Sequence, residues 1–290
     1  MLMLQTDSIR DRVNAIEEIS ALPTTVARIL AIVQDDSATA LDLATELGRE
    51  PALSMKVLRV VNSPYYGFAR QIVSIQDAVV LLGFAEVERL ALGISIINLF
   101  GRDREGVKSL QMLWRHSLAC SLVGSLLESE RGLGAALRGA HVAGLLHDMG
   151  KAVIVQYFPE VVVPVMHLVE EAHLPLHEAE SDVLSGANHA DIGAWIAERW
   201  DLPEPLVKSI ALHHTPDQAA PEDLLVHATH IMDEICNEMG IGSGQNYCAP
   251  APNPRSCEII GFGPHLETMI HDHLTQNRRF VSTVAGGLAY

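Results

Sequence analysis

The stretch AGLLHDMGK, residues 143–151, decides how this chain is interpreted. Its first residues continue an apolar helical pattern that includes Val142, Leu145 and Leu146. His147 and Asp148 then stand side by side, shortly before Gly150. Two adjacent polar residues at a helix end usually meet solvent or cap a neighbour. An imidazole beside a carboxylate also suits Mn, Fe, Ni or Zn, so the rest of the sequence has to separate these two interpretations.

Apolar residues recur at intervals of three and four along most of the chain, as in Val26, Ile29, Leu30 and Val33. Strand-like alternation is scarce. The chain has 290 residues, of which 48% are apolar and 19% are charged. A chain of this length lies near the size at which one core gives way to two. The sequence therefore predicts an all-α, multi-helical bundle in two lobes.

Breaks in the helical pattern divide the chain into four segments. A turn at Gly101–Gly106 separates the lobes, and a stretch rich in Gly, Pro, Ser and Asn follows Gly240. We expect the last amphipathic helix at about Glu258–Leu274. The predicted segments are an N-terminal helical lobe over 1–103, a second helical lobe over 104–240, a linker loop over 241–257, and a C-terminal helix and tail over 258–290.

Composition narrows the classes of partner. The 20 Lys and Arg residues against 36 Asp and Glu residues leave a net charge of −16, which repels nucleic-acid phosphates. Two helices around Glu46–Pro51 resemble a helix-turn-helix, but such pairs are usually packing units, and DNA is not expected.

No apolar run approaches the ~20 residues of a membrane span. The four cysteines form no CxxC pair. The first residues contain no apolar stretch long enough for a signal sequence. We therefore expect a cytoplasmic protein without membrane insertion.

Histidine is concentrated in the second half of the chain, where all 14 histidines follow residue 115. Several of them, with two aspartates, lie on apolar helix faces or at helix ends. Each alone is more often a hydrogen-bonded core residue than a ligand, but together they need a common partner, because unpaired buried polar groups are costly. The set exceeds the four ligands of a closed zinc site and suits two ions bridged by Asp148. The predicted metal ligands are His116, His147, Asp148, His189, His213, His214 and Asp233.

The order of these residues resembles the ligand order of the HD superfamily of metal-dependent phosphohydrolases. Within that superfamily, the sequence is most similar to the HDOD domain, over roughly residues 15–240. The matching stretches, besides residues 143–151, are LPTTVARILAIV from Leu22, REPALSMKVLRVVNSPYYG from Arg49, SIQDAVVLLGFAEVERLAL from Ser74, and NHADIGAWIAERWDLPEPLVKSIALHHTP from Asn188.

The resemblance implies a function. HDOD domains are all-helical modules of bacterial signalling proteins that regulate or dock rather than catalyse. By this resemblance we expect a regulatory protein that holds one or two divalent transition metal ions (Fe, Mn, Ni or Zn) and acts on a signalling protein partner in trans, or senses a nucleotide or phosphate ligand. The alternative is a metal-dependent phosphohydrolase that acts on a nucleotide or cyclic dinucleotide.

Two further features bear on catalysis. In the HD-GYP branch, which cleaves cyclic-di-GMP, a Gly-Tyr-Pro signature follows the paired histidines, whereas residues 215–220 read TPDQAA here. The resemblance also makes Lys151 a candidate contact to a substrate phosphate, as a compact positive charge would be. The other interpretation of Lys151 is a solvated lysine that interacts with the last carbonyls of a helix.

Overall fold

The computed structural model describes residues 6–35, 37–100, 107–130, 133–134, 136–241 and 251–287. Every regular element in these ranges is helical, which confirms the predicted all-α class. The turn predicted at 101–106 and most of the predicted linker, residues 242–250, lie outside the described residues.

Sixteen α-helices and one short 3₁₀ turn, Pro216–Gln218, follow one another along the described chain. They are α1 Thr6–Asn14, α2 Thr24–Gln34, α3 Ala40–Gly48, α4 Pro51–Val61, α5 Ile75–Leu82, α6 Phe84–Phe100, α7 Val107–Ser129, α8 Ala140–Leu146, α9 Met149–Tyr157, α10 Pro159–Ala172, α11 Leu176–Val183, α12 His189–Arg199, α13 Glu204–Leu212, α14 Leu224–Glu238, α15 Pro254–Ile260 and α16 Pro264–Gly287.

Contacts between Cα atoms divide the chain into two compact units. The larger unit takes the described residues of 1–21 and 103–276, and the smaller unit takes those of 22–102 and 277–290. The division near residue 103 lies close to the predicted lobe boundary, but the chain ends are distributed differently. The first 21 residues group with the larger unit because its side chains bind their carbonyl oxygens: Trp200 Nε1 donates to Ile19 at 3.0 Å, and Arg199 Nη2 donates to Ile16 at 2.9 Å.

The C-terminal region differs from its sequence prediction. In place of one helix from Glu258 to Leu274 there are two, α15 and α16. Asn253 accepts hydrogen bonds at the start of α15, so the helix begins at Pro254, inside the stretch predicted as linker. Proline suits the first helical turn, where its missing N–H would be unpaired anyway. Gly261, with φ at 70°, then ends α15 in the left-handed conformation.

The apolar pattern around Val142, Leu145 and Leu146 forms the short helix α8, Ala140–Leu146. Helix α8 ends at Leu146, and α9 begins at Met149, so Gly150 lies inside the first turn of α9 rather than at a helix end. A Cβ atom at Gly150 would lie 1.9 Å from the carbonyl oxygen of His189. Glycine therefore lets α9 approach the start of α12 closely, and this contact places the His147–Asp148 turn beside His189.

A second close approach joins α7 to α8. A Cβ atom at Gly144 would lie 2.6 Å from the backbone carbon of Cys120, so a larger side chain would push these two helices apart. Helix α14 packs against both α7 and α8, and α13 packs against α8, α12 and α14. The larger unit thus gathers α7, α8, α9, α12, α13 and α14 around one interior.

In the smaller unit, α6 lies against α2, α3, α4 and α5. Its buried face is made largely of aliphatic side chains, among them Leu90, Leu92 and Ile94, and each is fully buried. The core of this unit is mainly apolar.

Among the described residues, no single helix is both long enough and apolar enough to cross a membrane. One pair of consecutive helical segments, Ala140–Tyr157 and Pro159–Ala172, reaches that length and hydropathy together, but the pair is bent by 117°.

Candidate metal centre

The structure brings all seven predicted ligand side chains together in the interior of the larger unit. Helix α7 provides His116, the turn between α8 and α9 provides His147 and Asp148, α12 begins with His189, the end of α13 is followed by His213 and His214, and α14 provides Asp233. Six of the seven are between 0% and 1% exposed. The exception is His214, whose side chain is 7% exposed.

Hydrogen bonds orient the histidine rings. His147 and His213 each donate Nδ1–H to the carbonyl oxygen three residues earlier in their own helix, at 2.9 Å and 2.8 Å. His116 Nδ1 lies 3.0 Å from the carbonyl oxygen of Ile241. Because a carbonyl oxygen can only accept, Nδ1 carries the proton in each ring, and Nε2 is the nitrogen left for the centre.

His189 is held by a carboxylate that the sequence did not single out. Glu180, on α11, accepts from Nδ1 of His189 at 2.5 Å and from its backbone N–H at 2.8 Å. A carboxylate behind an imidazole fixes the ring and raises its basicity as a ligand. Glu180 lies in the polar stretch LHEAESDV, where spacing does not distinguish it from solvated acidic residues. Only the packing of α11 against α12 makes it part of the centre.

Three of the inward-facing atoms have the spacing of ligands around one ion. His116 Nε2 lies 3.3 Å from His147 Nε2 and 2.9 Å from Asp233 Oδ1, and the last two atoms are 3.8 Å apart. Tetrahedral ligands at zinc distances of about 2.0 Å are separated by about 3.3 Å. We call this group, formed by His116, His147 and Asp233, site A.

A second group lies next to it and comprises Asp148, His189, His213 and His214, whose ligand atoms all lie within 4.8 Å of one another. We call this group site B. Asp148 Oδ1 faces it, at 3.3 Å from His189 Nε2 and 3.8 Å from His213 Nε2. Asp148 Oδ2 faces site A, at 3.5 Å from His147 Nε2. One oxygen towards each group is the placement that a bridging carboxylate requires.

Three buried atoms of the centre have no hydrogen-bond partner in the protein. They are Asp148 Oδ1, His213 Nε2 and Asp233 Oδ2. Leaving such groups unpaired in an interior costs about 1–3 kcal/mol each, and more for charged groups. All three atoms carry lone pairs and face other lone-pair atoms of the centre. A cation would therefore satisfy them. The residues present therefore fit one or two transition metal ions.

Protonated side chains place positive charge beside the buried aspartates of the centre. Burial alone would lower the pKa of His116, but its hydrogen bond to Asp233 and the charges of Asp233 and Asp148 raise that pKa to about 9. Burial alone would raise the pKa of Asp148, but the charge of Lys151 and the proximity of His147 lower it well below its usual range. His116 is thus charged at neutral pH, and an ion at site A would displace its proton.

The pKa values of the paired histidines of site B are lowered rather than raised. Burial, together with His147 and His189, lowers the pKa of His213 well below its ordinary value. Burial, together with His213 and His189, does the same for His214. Both rings are neutral at physiological pH, which is the form that binds metal. His177 stacks on His214, with ring centroids 4.3 Å apart, and covers its outer face.

Lys151 is buried rather than solvated, with 6% exposure. Its Nζ lies 2.7 Å from Asp148 Oδ2, one helical turn earlier. Burial alone would lower the pKa of Lys151, but Asp148 raises it, so the lysine is charged. The interpretation as a solvated helix-end lysine is therefore wrong. Lys151 is paired with the carboxylate that lies between sites A and B, and its contact to a substrate phosphate stays a prediction.

Fold and site together define an all-helical protein with a buried cluster of histidines and aspartates, and comparison with known proteins identifies the family. The sequence profile of the HDOD domain matches residues 19–216, which is more than half of the chain. The chain belongs to the HDOD family.

Among curated proteins, an uncharacterized protein of Treponema pallidum (strain Nichols) is 26% identical over 215 residues, which are 74% of this chain and 40% of the relative. A ribonuclease Y of Thermus thermophilus is 32% identical over 124 residues, 43% of this chain and 16% of the relative. The chain therefore spans less than half the length of these relatives.

Solved structures share the fold. An HDOD domain protein of unknown function from Geobacter sulfurreducens is 26% identical, with a TM-score of 0.74 and coverage of 92% of both chains. A protein from Shewanella amazonensis SB2B, provisionally assigned as a phosphohydrolase, is 22% identical, with a TM-score of 0.71 and coverage of 96% of this chain and 98% of that one. At that identity, the second comparison shows the fold alone.

Proposed function

We propose that this chain is a cytoplasmic, bacterial signal-transduction protein that holds one or two divalent transition metal ions in the larger unit and acts by docking onto a signalling partner in trans. The observation that carries the proposal is the convergence of all seven donors on one interior, with three of their buried atoms unpaired by the protein. His116, His147 and Asp233 would hold one ion, and His189, His213 and His214 the other, with Asp148 between them.

A bound ion would supply positive charge that joins five separate parts of the larger unit: α7, the α8–α9 turn, α12, the end of α13 and α14. The chain's own residues prepare that interior. Carbonyl oxygens and Glu180 fix the rings, Gly144 and Gly150 let the helices approach, and Lys151 balances Asp148. The metal would therefore act chiefly on the rigidity of the scaffold.

The burial of the centre favours regulation over turnover. A catalytic metal site keeps an open coordination position that substrate or water can reach. Here six of the seven donors are at most 1% exposed, and His177 covers the face of His214, the one donor with partial exposure. Lys151, which would have to reach a phosphate, is buried against Asp148.

The smaller unit offers a surface suited to docking. Five of the seven large apolar side chains that are strongly exposed among the described residues belong to it: Leu41, Met55, Val73, Val80 and Leu81. Its sequence ranges contain nine Lys and Arg residues against eight Asp and Glu residues, whereas those of the larger unit contain eleven against twenty-eight. If these side chains form one patch, a nearly neutral apolar surface of this kind would suit a protein partner.

Elemental analysis of the purified full chain tests the metal part of the proposal. We expect one or two equivalents of a transition metal in the wild-type protein and a loss of metal in His147→Ala and Asp148→Ala. Wild-type protein that takes up no transition metal from buffer containing Fe, Mn, Ni or Zn would contradict it.

A crosslinking experiment in cells tests the docking part. We expect Val80→Asp to abolish crosslinks to the partner while the metal content stays unchanged, because Val80 is 80% exposed and lies far from any predicted ligand along the chain. Val163→Asp is the matched control, since Val163 is 75% exposed but lies in the larger unit. Equal loss of crosslinks in both variants, or in neither, would argue against docking through the smaller unit.

The second candidate function is a metal-dependent phosphohydrolase. The placement of Asp148 between sites A and B favours it, because two bridged ions can activate water and bind a phosphate. The test is release of phosphate or nucleotide products from nucleotides, cyclic dinucleotides and RNA in added Mn or Fe. Turnover that Asp148→Ala abolishes would establish this function in place of the regulatory one.

A further inference from the structure

A cysteine, Cys120, lies next to site A but is not among the predicted histidine and aspartate ligands. Cys120 follows His116 by four residues on α7, so both side chains lie on one face of the helix. Cys120 is fully buried. Its Sγ lies 3.6 Å from His116 Nε2 and 3.6 Å from the carbonyl oxygen of Met232, to which the thiol donates. The sulfur lone pairs are thus left for the side of site A.

The distances match those of a metal ligand. Zinc binds nitrogen at about 2.0 Å and sulfur at about 2.3 Å, so tetrahedral nitrogen and sulfur ligands lie about 3.5 Å apart. The 3.6 Å between Cys120 Sγ and His116 Nε2 agrees with that separation. The ligand atoms of His116, Cys120 and His147 also lie within 4.8 Å of one another. Besides the bridging Asp148, site A has only three donors of its own, so the sulfur would add a further ligand on the side of His116 and His147.

We propose that Cys120 is a ligand of the ion at site A, which thereby has two imidazoles, the carboxylate of Asp233 and one thiolate, besides the bridging Asp148. The inference rests on the proposed metal centre and specifies its chemistry. Thiolate selects softer ions such as Zn²⁺, Co²⁺ or Fe²⁺ over Mn²⁺ and Mg²⁺. On binding, the S–H bond breaks, the proton passes to water, and a sulfur–metal bond forms with no change of oxidation state.

A second cysteine lies near this sulfur. Cys236 follows Asp233 by three residues on α14, is fully buried, and contributes, after burial, to raising the pKa of the Cys120 thiol. Both cysteines are free thiols in the structure.

Cobalt substitution of the full chain under a non-thiol reductant tests the proposal. We expect wild-type protein loaded with Co²⁺ to show a near-ultraviolet sulfur-to-cobalt charge-transfer band. The band should be absent in Cys120→Ser, although cobalt is still bound, and should persist in Cys257→Ser. Cys257 is the matched control, because it is a free cysteine on α15. In competition between Zn²⁺ and Mn²⁺, Cys120→Ser should lose at least about tenfold in its preference for Zn²⁺. Removing a residue that merely contacts a metal ligand already lowers metal affinity by about that factor.

The outcomes separate this inference from the proposed function. If wild-type protein binds no cobalt, the metal centre itself fails. If cobalt binds without the charge-transfer band, or if Cys120→Ser keeps the band, only the thiolate ligand is overturned. X-ray absorption of zinc-loaded wild-type protein needs no variant and therefore holds even if Cys120→Ser misfolds. A sulfur neighbour at about 2.3 Å supports the proposal, and a first shell of nitrogen and oxygen alone overturns it.

Discussion

The two units of this protein bury charge in different ways. In the smaller unit, the carboxylate of Glu46 is buried between Arg28 and Arg49, at 3.0 Å and 2.6 Å, and both arginine side chains are at least half exposed. In the larger unit, Asp148 and Asp233 are completely buried, and each keeps an oxygen without a hydrogen-bond partner. The protein alone satisfies the first arrangement, whereas the second leaves one oxygen of each aspartate without a hydrogen bond.

The difference shows why the two cores should respond differently to the same kind of change. The smaller unit is stabilised mainly by apolar packing, and its buried Glu46 pairs with two arginines that stay close to water. The interior of the larger unit combines apolar packing with a polar cluster, for which loss of one charge leaves another buried and unpaired. The predictions that follow test this contrast from the largest expected effect to the smallest, with the matched change in the smaller unit placed beside the first.

Asp148→Asn should destabilise the larger unit most. The substitution leaves the buried ammonium of Lys151 without its carboxylate partner, which typically costs about 3–5 kcal/mol. The measurement is urea denaturation of metal-free protein, with amide hydrogen exchange to assign the loss to α7–α9 and α12–α14.

Glu46→Gln is the matched change in the smaller unit. Its two arginine partners are exposed and can be solvated, so the cost should stay below about 1 kcal/mol. Adding Lys151→Met to Asp148→Asn should restore part of the stability, because the unpaired charge is then gone. Equal costs for Asp148→Asn and Glu46→Gln would refute the contrast between the units.

Chelation of metal should affect only the larger unit. An ion present at 100 to 1,000 times its dissociation constant stabilises the folded state by about 2.7 to 4.1 kcal/mol. We therefore expect a chelator to speed hydrogen exchange in α7, α8 and α14 and to leave α2–α6 unchanged. Readdition of the metal should reverse the effect, and uniform acceleration throughout the chain would contradict it.

Gly150→Ala should cost more than Gly193→Ala, although both glycines lie near the contact of α9 with α12. At Gly150 the added Cβ meets the His189 carbonyl oxygen at 1.9 Å, and backbone cannot move aside without separating the helices. At Gly193 the nearest atom is the Ile210 Cγ2 methyl at 2.8 Å, which can rotate. We expect about 1–3 kcal/mol for Gly150→Ala and less for Gly193→Ala in urea denaturation. The reverse order would show that the approach of α9 to α12 is not what requires glycine.

Tyr66→Phe should have a small effect that is confined to the smaller unit. In the smaller unit, the Tyr66 hydroxyl donates to Glu86 at 2.6 Å, and Glu86 also pairs with Arg89. Because Glu86 keeps that partner, loss of the hydroxyl should cost about 1 kcal/mol. Metal content, measured on the same preparation, should not change; a loss of metal would mean that the two units are coupled.

Much of the fold was predictable because helical periodicity is local. The spacing of apolar residues is enough to show that the chain is helical, and the positions of His116, the His147–Asp148 pair, His189, the His213–His214 pair and Asp233 indicate one set of donors. The prediction for the C-terminal helices is wrong for a local reason as well: Pro254 lies in a stretch with loop composition, whereas Asn253 caps a helix that starts there.

The sequence by itself determined the helical class and singled out the histidines and aspartates that meet in the interior, since both depend on residue type and spacing along the chain. Only the tertiary structure decided that Lys151 is buried against Asp148, that Glu180 holds His189, and that Cys120 faces site A. Those relations depend on how closely helices approach one another in space. Gly144 and Gly150 set that approach through the absence of a side chain, and only the packed helices show what an added Cβ would meet.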